Sequence, residues 1–151
     1  MTDRIEKSTV IAAPIERVWS AIADHEQFGS WFKVALDQPF AVGTPSTGHM
    51  TYPGYEHYPW EAEIVEISAP TRFVYRWPTG GEIDTVQPRE EWTTVTFTLE
   101  AVDGGTRVTV VEDGFDRVPE PRRSEAIRSN TGGWEEQMRN IAAFVTGDAE
   151  G

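Results

Sequence analysis

Ile127, Thr131, Trp134, Met138, Ile141 and Val145 recur at i, i+4, i+7, i+11, i+14 and i+18, and this spacing constrains the chain more than any other feature. It predicts one long amphipathic helix that starts near residue 121, once the proline-containing stretch DGFDRVPEPRR has ended. A helix with one apolar face must bury that face on something. Residues 34–113 supply the partner, because they read as strand and turn, punctuated by Gly43, Gly48, Pro53-Gly54, Ala69-Pro70, Thr79-Gly80-Gly81 and Asp103-Gly104-Gly105. About six strands fit there, the clearest at 62–67, 72–77, 91–102 and 106–113.

The first part of the chain adds a strand at 4–12, after which Ala12-Ala13-Pro14 switches the apolar period from two to 3.6. Ile15, Val18, Trp19 and Ile22 then form a helical stripe, and Asp24 is placed to cap a second short helix carrying Phe28, Trp31 and Phe32. The expected fold is α+β and a single domain over 1–151. A curved antiparallel sheet of about seven strands carries two short helices after strand one, and the long C-terminal helix crosses its concave face. One helix cannot cover so wide a curved sheet, so an internal cavity between helix and sheet is expected.

Within that frame, alternation decides which residues face inward. Val95, Phe97 and Leu99 alternate with Thr94, Thr96 and Thr98, and Val108, Val110 and Glu112 form one row on the next strand. A carboxylate therefore continues an apolar inward row. Burial disfavours the ionised form of such a group, which suits general acid or base work or the anchoring of a ligand's polar end; at the rim it would instead meet water or an arginine such as Arg76. Glu61 and Glu63 share a face with Val65 and Ile67, while Trp60, Ala62 and Ile64 share the other with Glu66, so both faces of that strand look mixed.

Gly132 and Gly133 fall inside the long helix, where each costs roughly 1 kcal/mol relative to alanine. Burial of Trp134, about 200 Å² at roughly 25 cal/mol per Å², supplies up to ~5 kcal/mol and outweighs that cost. The expectation is that the glycines let the backbone settle close to the sheet while Trp134 inserts.

Charge narrows the partners. Thirteen basic against twenty-five acidic residues give a net charge of −12, which repels nucleic acid and anionic lipid surfaces. Arg122, Arg123 and Arg128 read as a solvated helix face. No stretch approaches the roughly 20 apolar residues of a membrane span, and MTDRIEKSTV lacks the apolar centre of a signal peptide, so a cytoplasmic location without membrane insertion is expected. With no cysteine, thiolate chemistry and disulfides are absent. His25, His49 and His57 show no metal-ligand spacing and no serine sits on a G-x-S-x-G elbow, so neither a metal, a cofactor nor a nucleophilic triad is expected. Six tryptophans, seven phenylalanines and four tyrosines exceed what a minimal core of this size needs, and aromatic residues also line small-molecule sites. YPGYEHYPWE at 52–61 is the densest such stretch, with no assigned place.

The segments APIERVWSAIADHEQFGSWF, VTFTLEAVDGGTRVTVVEDGF and GGWEEQMRNIAAF, in this order, resemble the START-like (SRPBCC, helix-grip) superfamily, nearest its AHSA-like branch. The resemblance spans residues 5–146. It implies a cavity that takes a hydrophobic or aromatic small molecule, lipid- or polyketide-like. Trp31 and Phe32 match the aromatic pair closing the small helices over that cavity, Trp77 the tryptophan ending the central strand, and Trp134 the one anchoring the long helix. With these, the expected lining comprises Phe73, Tyr75, Trp92, Phe97 and Met138, with Glu112 as polar contact. Alternatives are an enzyme of cyclase or hydratase type with Glu112 or Tyr75 moving a proton, and a module that binds a chaperone or a second copy of itself. The resemblance does not extend to the additional amino-terminal domain with which the founding co-chaperone grips its chaperone.

Overall fold

The computed structural model describes residues 4–78 and 88–147. The turn expected at Thr79-Gly80-Gly81 lies outside the described residues. In chain order the elements are β1 (Ile5–Ile11), α1 (Ile15–Ala23), α2 (His25–Phe32), β2 (Val34–Leu36), β3 (Pro45–Met50), β4 (Pro59–Ser68), β5 (Arg72–Trp77), β6 (Thr93–Val102), β7 (Gly105–Asp113) and α3 (Glu120–Thr146). The strands form one antiparallel sheet in the order β1-β7-β6-β5-β4-β3-β2. The curved sheet grips α3, which packs on β1, α1 and α2, giving the α+β helix-grip architecture expected from the sequence.

Local rules account for most boundaries. Asp24 caps α2 by accepting from the Glu26 N–H at 3.4 Å, and the helix ends at Lys33, whose φ of 70° closes it in the left-handed region. The turn into β7 needs Gly105: at φ 153°, a Cβ there would lie 1.9 Å from the Ile11 carbonyl oxygen of the neighbouring strand. On β6, Val95, Phe97 and Leu99 are buried as their alternation predicts, and Val108, Val110 and Glu112 are buried on β7.

The mixed faces of β4 have a simple cause. A bulge at Val65 shifts its register against β5, so that Ile64 opposes Tyr75 and Ile67 opposes Phe73. Trp60, Ala62 and Ile64 face the core before the bulge, and Ile67 packs against it afterwards, while Val65 is left exposed. Glu66 turns out to pair with Arg72 at 3.0 Å.

Two expectations about α3 are corrected. The helix runs without a break through Gly132 and Gly133, and a Cβ on either would meet nothing within 4 Å, so close approach to the sheet is not what these glycines serve. Nor do Arg122 and Arg123 belong to a free solvated face, although Arg128 is exposed as expected. Arg122 pairs with Glu91 at 2.6 Å, and Arg123 donates to the carbonyls of Val118 and Asp116, tying the helix start to the preceding loop.

Candidate functional site

Glu112 is fully buried, and four side chains converge on it. The Trp77 Nε1–H and the Thr93 hydroxyl donate to Oε2 at 2.9 and 2.6 Å. The Trp134 Nε1–H donates to Oε1 at 2.8 Å, and Asn130 Nδ2 lies 3.0 Å from Oε1 and 3.2 Å from Oε2. The fold explains the convergence. Trp77 and Thr93 are a cross-strand pair at the end of β5 and β6, Glu112 opposes Val95 one strand further on, and Asn130 and Trp134 are one turn apart on α3. Arg76, the partner suggested for Glu112 by sequence, instead pairs with Glu63 at 3.3 Å. Indole N–H groups can only donate, so the site is complementary to a carboxylate acting as acceptor.

Around this polar centre the rings pack on one another. Trp134 contacts Phe97 and Trp77, each with centroids 5.8 Å apart, and Phe32 at 6.0 Å; Tyr75 lies 5.4 Å from Trp77, and Trp31 lies 6.4 Å from Phe97. Trp31 is also pinned by donating to the Ala21 carbonyl at 2.8 Å. Trp31, Phe73, Tyr75, Phe97 and Trp134 are thus brought together as a ring cluster beneath α3. Trp92 is buried outside that core, with the Arg89 guanidinium 5.0 Å above its ring. Met138 borders a separate groove between α3 and β1. The Tyr75 hydroxyl is buried and has no hydrogen-bond partner among the described residues; burial first, and then the charge of Glu112, hold its phenol well above its ordinary pKa.

Open space lies at one end of the cluster, as a cleft of about 610 Å³ between α3 and the loop joining β3 to β4. Phe32, Trp60 and Trp77 line its inner part, and Tyr52, Tyr55 and Tyr58 come from the loop. Ser129, Asn130, Gly133 and Glu136 line it from α3, a stripe at helical spacing. Because Gly133 carries no side chain in the middle of that stripe, the cleft stays open there. The Tyr52 hydroxyl donates to Glu136, joining loop and helix, and this bond is the main cause that raises the Tyr52 pKa. Of the lining expected from sequence, Phe32 and Trp77 reach this cleft. Sequence reasoning did not place Tyr52, Tyr55, Tyr58, Trp60, Asn130 or Glu136, although the aromatic density of 52–61 was a visible signal for four of them.

The sequence matches, over residues 12–146, the family described as Activator of Hsp90 ATPase homolog 1-like protein. The chain belongs to that family. Among solved structures, this AHSA1-type chain is similar to DynU16, a protein in the dynemicin biosynthetic locus, with TM-score 0.75 and 22% identity over 97% of this chain and 48% of the other. It is also similar to a protein from Arthrobacter aurescens (TM-score 0.79, 20% identity, 97% and 87% of the chains). A third likeness is to the Aha1 dimer from Colwellia psychrerythraea (0.74, 14%, 99% of both). The chain therefore spans about half the length of DynU16, and identities at this level establish the shared fold. No curated protein matches the sequence. No helix among the described residues is long and apolar enough to cross a membrane.

Proposed function

We propose that this AHSA1-family chain binds an apolar or aromatic small molecule in the cleft between α3 and the 51–58 loop. The observation that carries this reading is the cleft itself: its volume lies in the range of small-molecule sites, roughly 300–1,000 Å³, and aromatic rings dominate its lining with a few polar groups from one helix. Tyr55 and Tyr58 are 54% and 37% exposed, a cost in water that a bound ring or chain would relieve. The genomic setting of DynU16 is compatible with a natural-product ligand. Glu112 acts in this reading as an organiser of the floor, since its lone pairs are committed to four donors and it does not line the cleft.

Native mass spectrometry of freshly purified protein tests the proposal, joined to calorimetric titration with naphthalene-based probes. Binding that disappears in Gly133→Leu, whose side chain would project into the cleft, supports it; binding unchanged in that variant, or no binding by any probe, refutes it. The same spectra report whether the chain carries a second copy of itself or a chaperone.

A further inference from the structure

The charges around the cleft are all of one sign. Glu136 lines it from α3 and Glu61 from β4, and no lysine, arginine or histidine lines it among the described residues. Two other grooves among the described residues are not like this: one is bordered by Lys7 and Arg139 beside Glu135, another by Lys33 and His25 beside Glu26. The aromatic cleft is thus acidic, on a chain of net charge −12.

The ring geometry adds a second, independent preference. Tyr52 and Tyr55 meet edge to face at 88° with centroids 6.3 Å apart, Tyr55 and Tyr58 lie at 5.6 Å, and Trp60 and Trp77 cross at 66° and 5.6 Å. Rings set at steep angles to one another enclose a volume from several sides, and the negative face of each π-system attracts a cation. Carboxylate and ring faces therefore favour the same ligand charge, while a ligand carboxylate would meet Glu136 with no compensating cation.

Resting on the small-molecule reading above, we infer that the cleft selects a lipophilic cation, an aromatic or aliphatic amine or quaternary ammonium compound, over neutral and anionic ligands of the same skeleton. The Tyr52–Glu136 bond sets the cage width, and the cationic head sits between Glu136 and the tyrosine faces with its apolar body on Trp60 and Trp77.

The test is calorimetric titration of the intact protein with three matched probes: naphthylmethyl-trimethylammonium, naphthylmethanol and naphthylacetate. The cation should bind at least about tenfold more tightly than the anion, the equivalent of about 1.4 kcal/mol. Glu136→Gln, which keeps an acceptor for Tyr52 but removes the charge, and Tyr55→Leu, at an exposed position, should each shrink that margin. Glu100→Gln, an equal charge change on the outer face of β6, should not. A margin reduced equally by Glu100→Gln reflects only overall charge and overturns the inference, as does a neutral or anionic probe that binds as well as the cation. In both of those outcomes, loss of binding in Gly133→Leu would leave the cleft reading intact. Absence of binding by all three probes overturns both.

Discussion

Replacing Glu112 with glutamine changes one oxygen into an NH₂ and leaves the side chain's size alone, so its cost can be worked from the four donors around it. Glutamine keeps one acceptor. If its nitrogen takes the Oε2 position, the Thr93 hydroxyl can rotate to accept, but the Trp77 N–H then faces another donor. If the nitrogen takes the Oε1 position, it faces the Nδ2 donor of Asn130 and the Trp134 N–H is stranded instead. Either orientation leaves one buried indole N–H without an acceptor, at about 1–3 kcal/mol. Removing a charge that no cation among the described residues compensates works in the other direction, so the expected net destabilisation lies in the lower half of that range. For a domain of this size it lowers Tm by about 2–8 °C. Urea denaturation of Glu112→Gln, alone and combined with Trp77→Phe or Trp134→Phe, measures it. The phenylalanine change that removes the stranded donor should cost less in the glutamine background than in the native one, and this coupling identifies the orientation. Unchanged stability in Glu112→Gln with no coupling to either tryptophan would refute the account of a donor-saturated carboxylate.

Three further outcomes are expected. Gly132→Ala should stabilise the protein by about 1 kcal/mol in denaturant titration, since a Cβ there meets nothing within 4 Å and the helix interior favours alanine. Tyr75→Phe should leave stability unchanged or raise it by up to about 1–3 kcal/mol, because the deleted hydroxyl is buried without a partner among the described residues. The same variant should alter the alkaline limb of the stability profile. The folded Tyr75 phenol is held above the unfolded value of 10.0, so the native chain resists ionisation there while the unfolded chain does not. Tyr75 therefore contributes no pH dependence below that value, and as pH rises past it the native state loses stability by about 1.4 kcal/mol per pH unit until the folded phenol ionises. Denaturation curves of wild type and Tyr75→Phe across pH 10.0 should diverge in that sense, and parallel curves would refute it.

The order of elements was legible because their signals are local. Period-two alternation set the inward rows of β6 and β7, including Glu112, the 3.6 period of the apolar stripe identified α3, and the end of the proline-containing stretch set its start to within a residue. The same alternation would have separated Trp92 from the lining, because it shares parity with Thr94 and Thr96 and not with Val95 and Phe97. What could not be read was anything that depends on two distant segments meeting. The β4 bulge reveals itself only through its register with β5, so the strand looked two-faced. The donors to Glu112 come from β5, β6 and two turns of α3, and no local pattern in the sequence joins them. The tyrosines at 52, 55 and 58 stood out by composition, yet their meaning depends on α3 passing opposite them.

A surplus of aromatic residues has two physical outcomes beneath a helix that grips a sheet: the rings can line a hollow, or they can fill one another's space. Here the deep positions take the second course, since Phe73, Tyr75 and Phe97 are wholly buried and Trp31 and Trp134 nearly so. The open volume is displaced to the end where α3 meets the β3–β4 loop. Two residues tie Glu112 to the cleft. Trp77 gives its N–H to Glu112 and its ring to the cleft, and Asn130 likewise binds Glu112 while lining the cleft from the helix. A ring held by a hydrogen bond at its edge and by packed neighbours at 5.4–6.1 Å has little rotamer freedom left to lose to a ligand of the proposed kind. Such preorganisation lowers the entropic cost of binding. If the cleft binds a small molecule as proposed, the buried carboxylate would act on the site without touching its occupant, by fixing the floor against which a guest would fit.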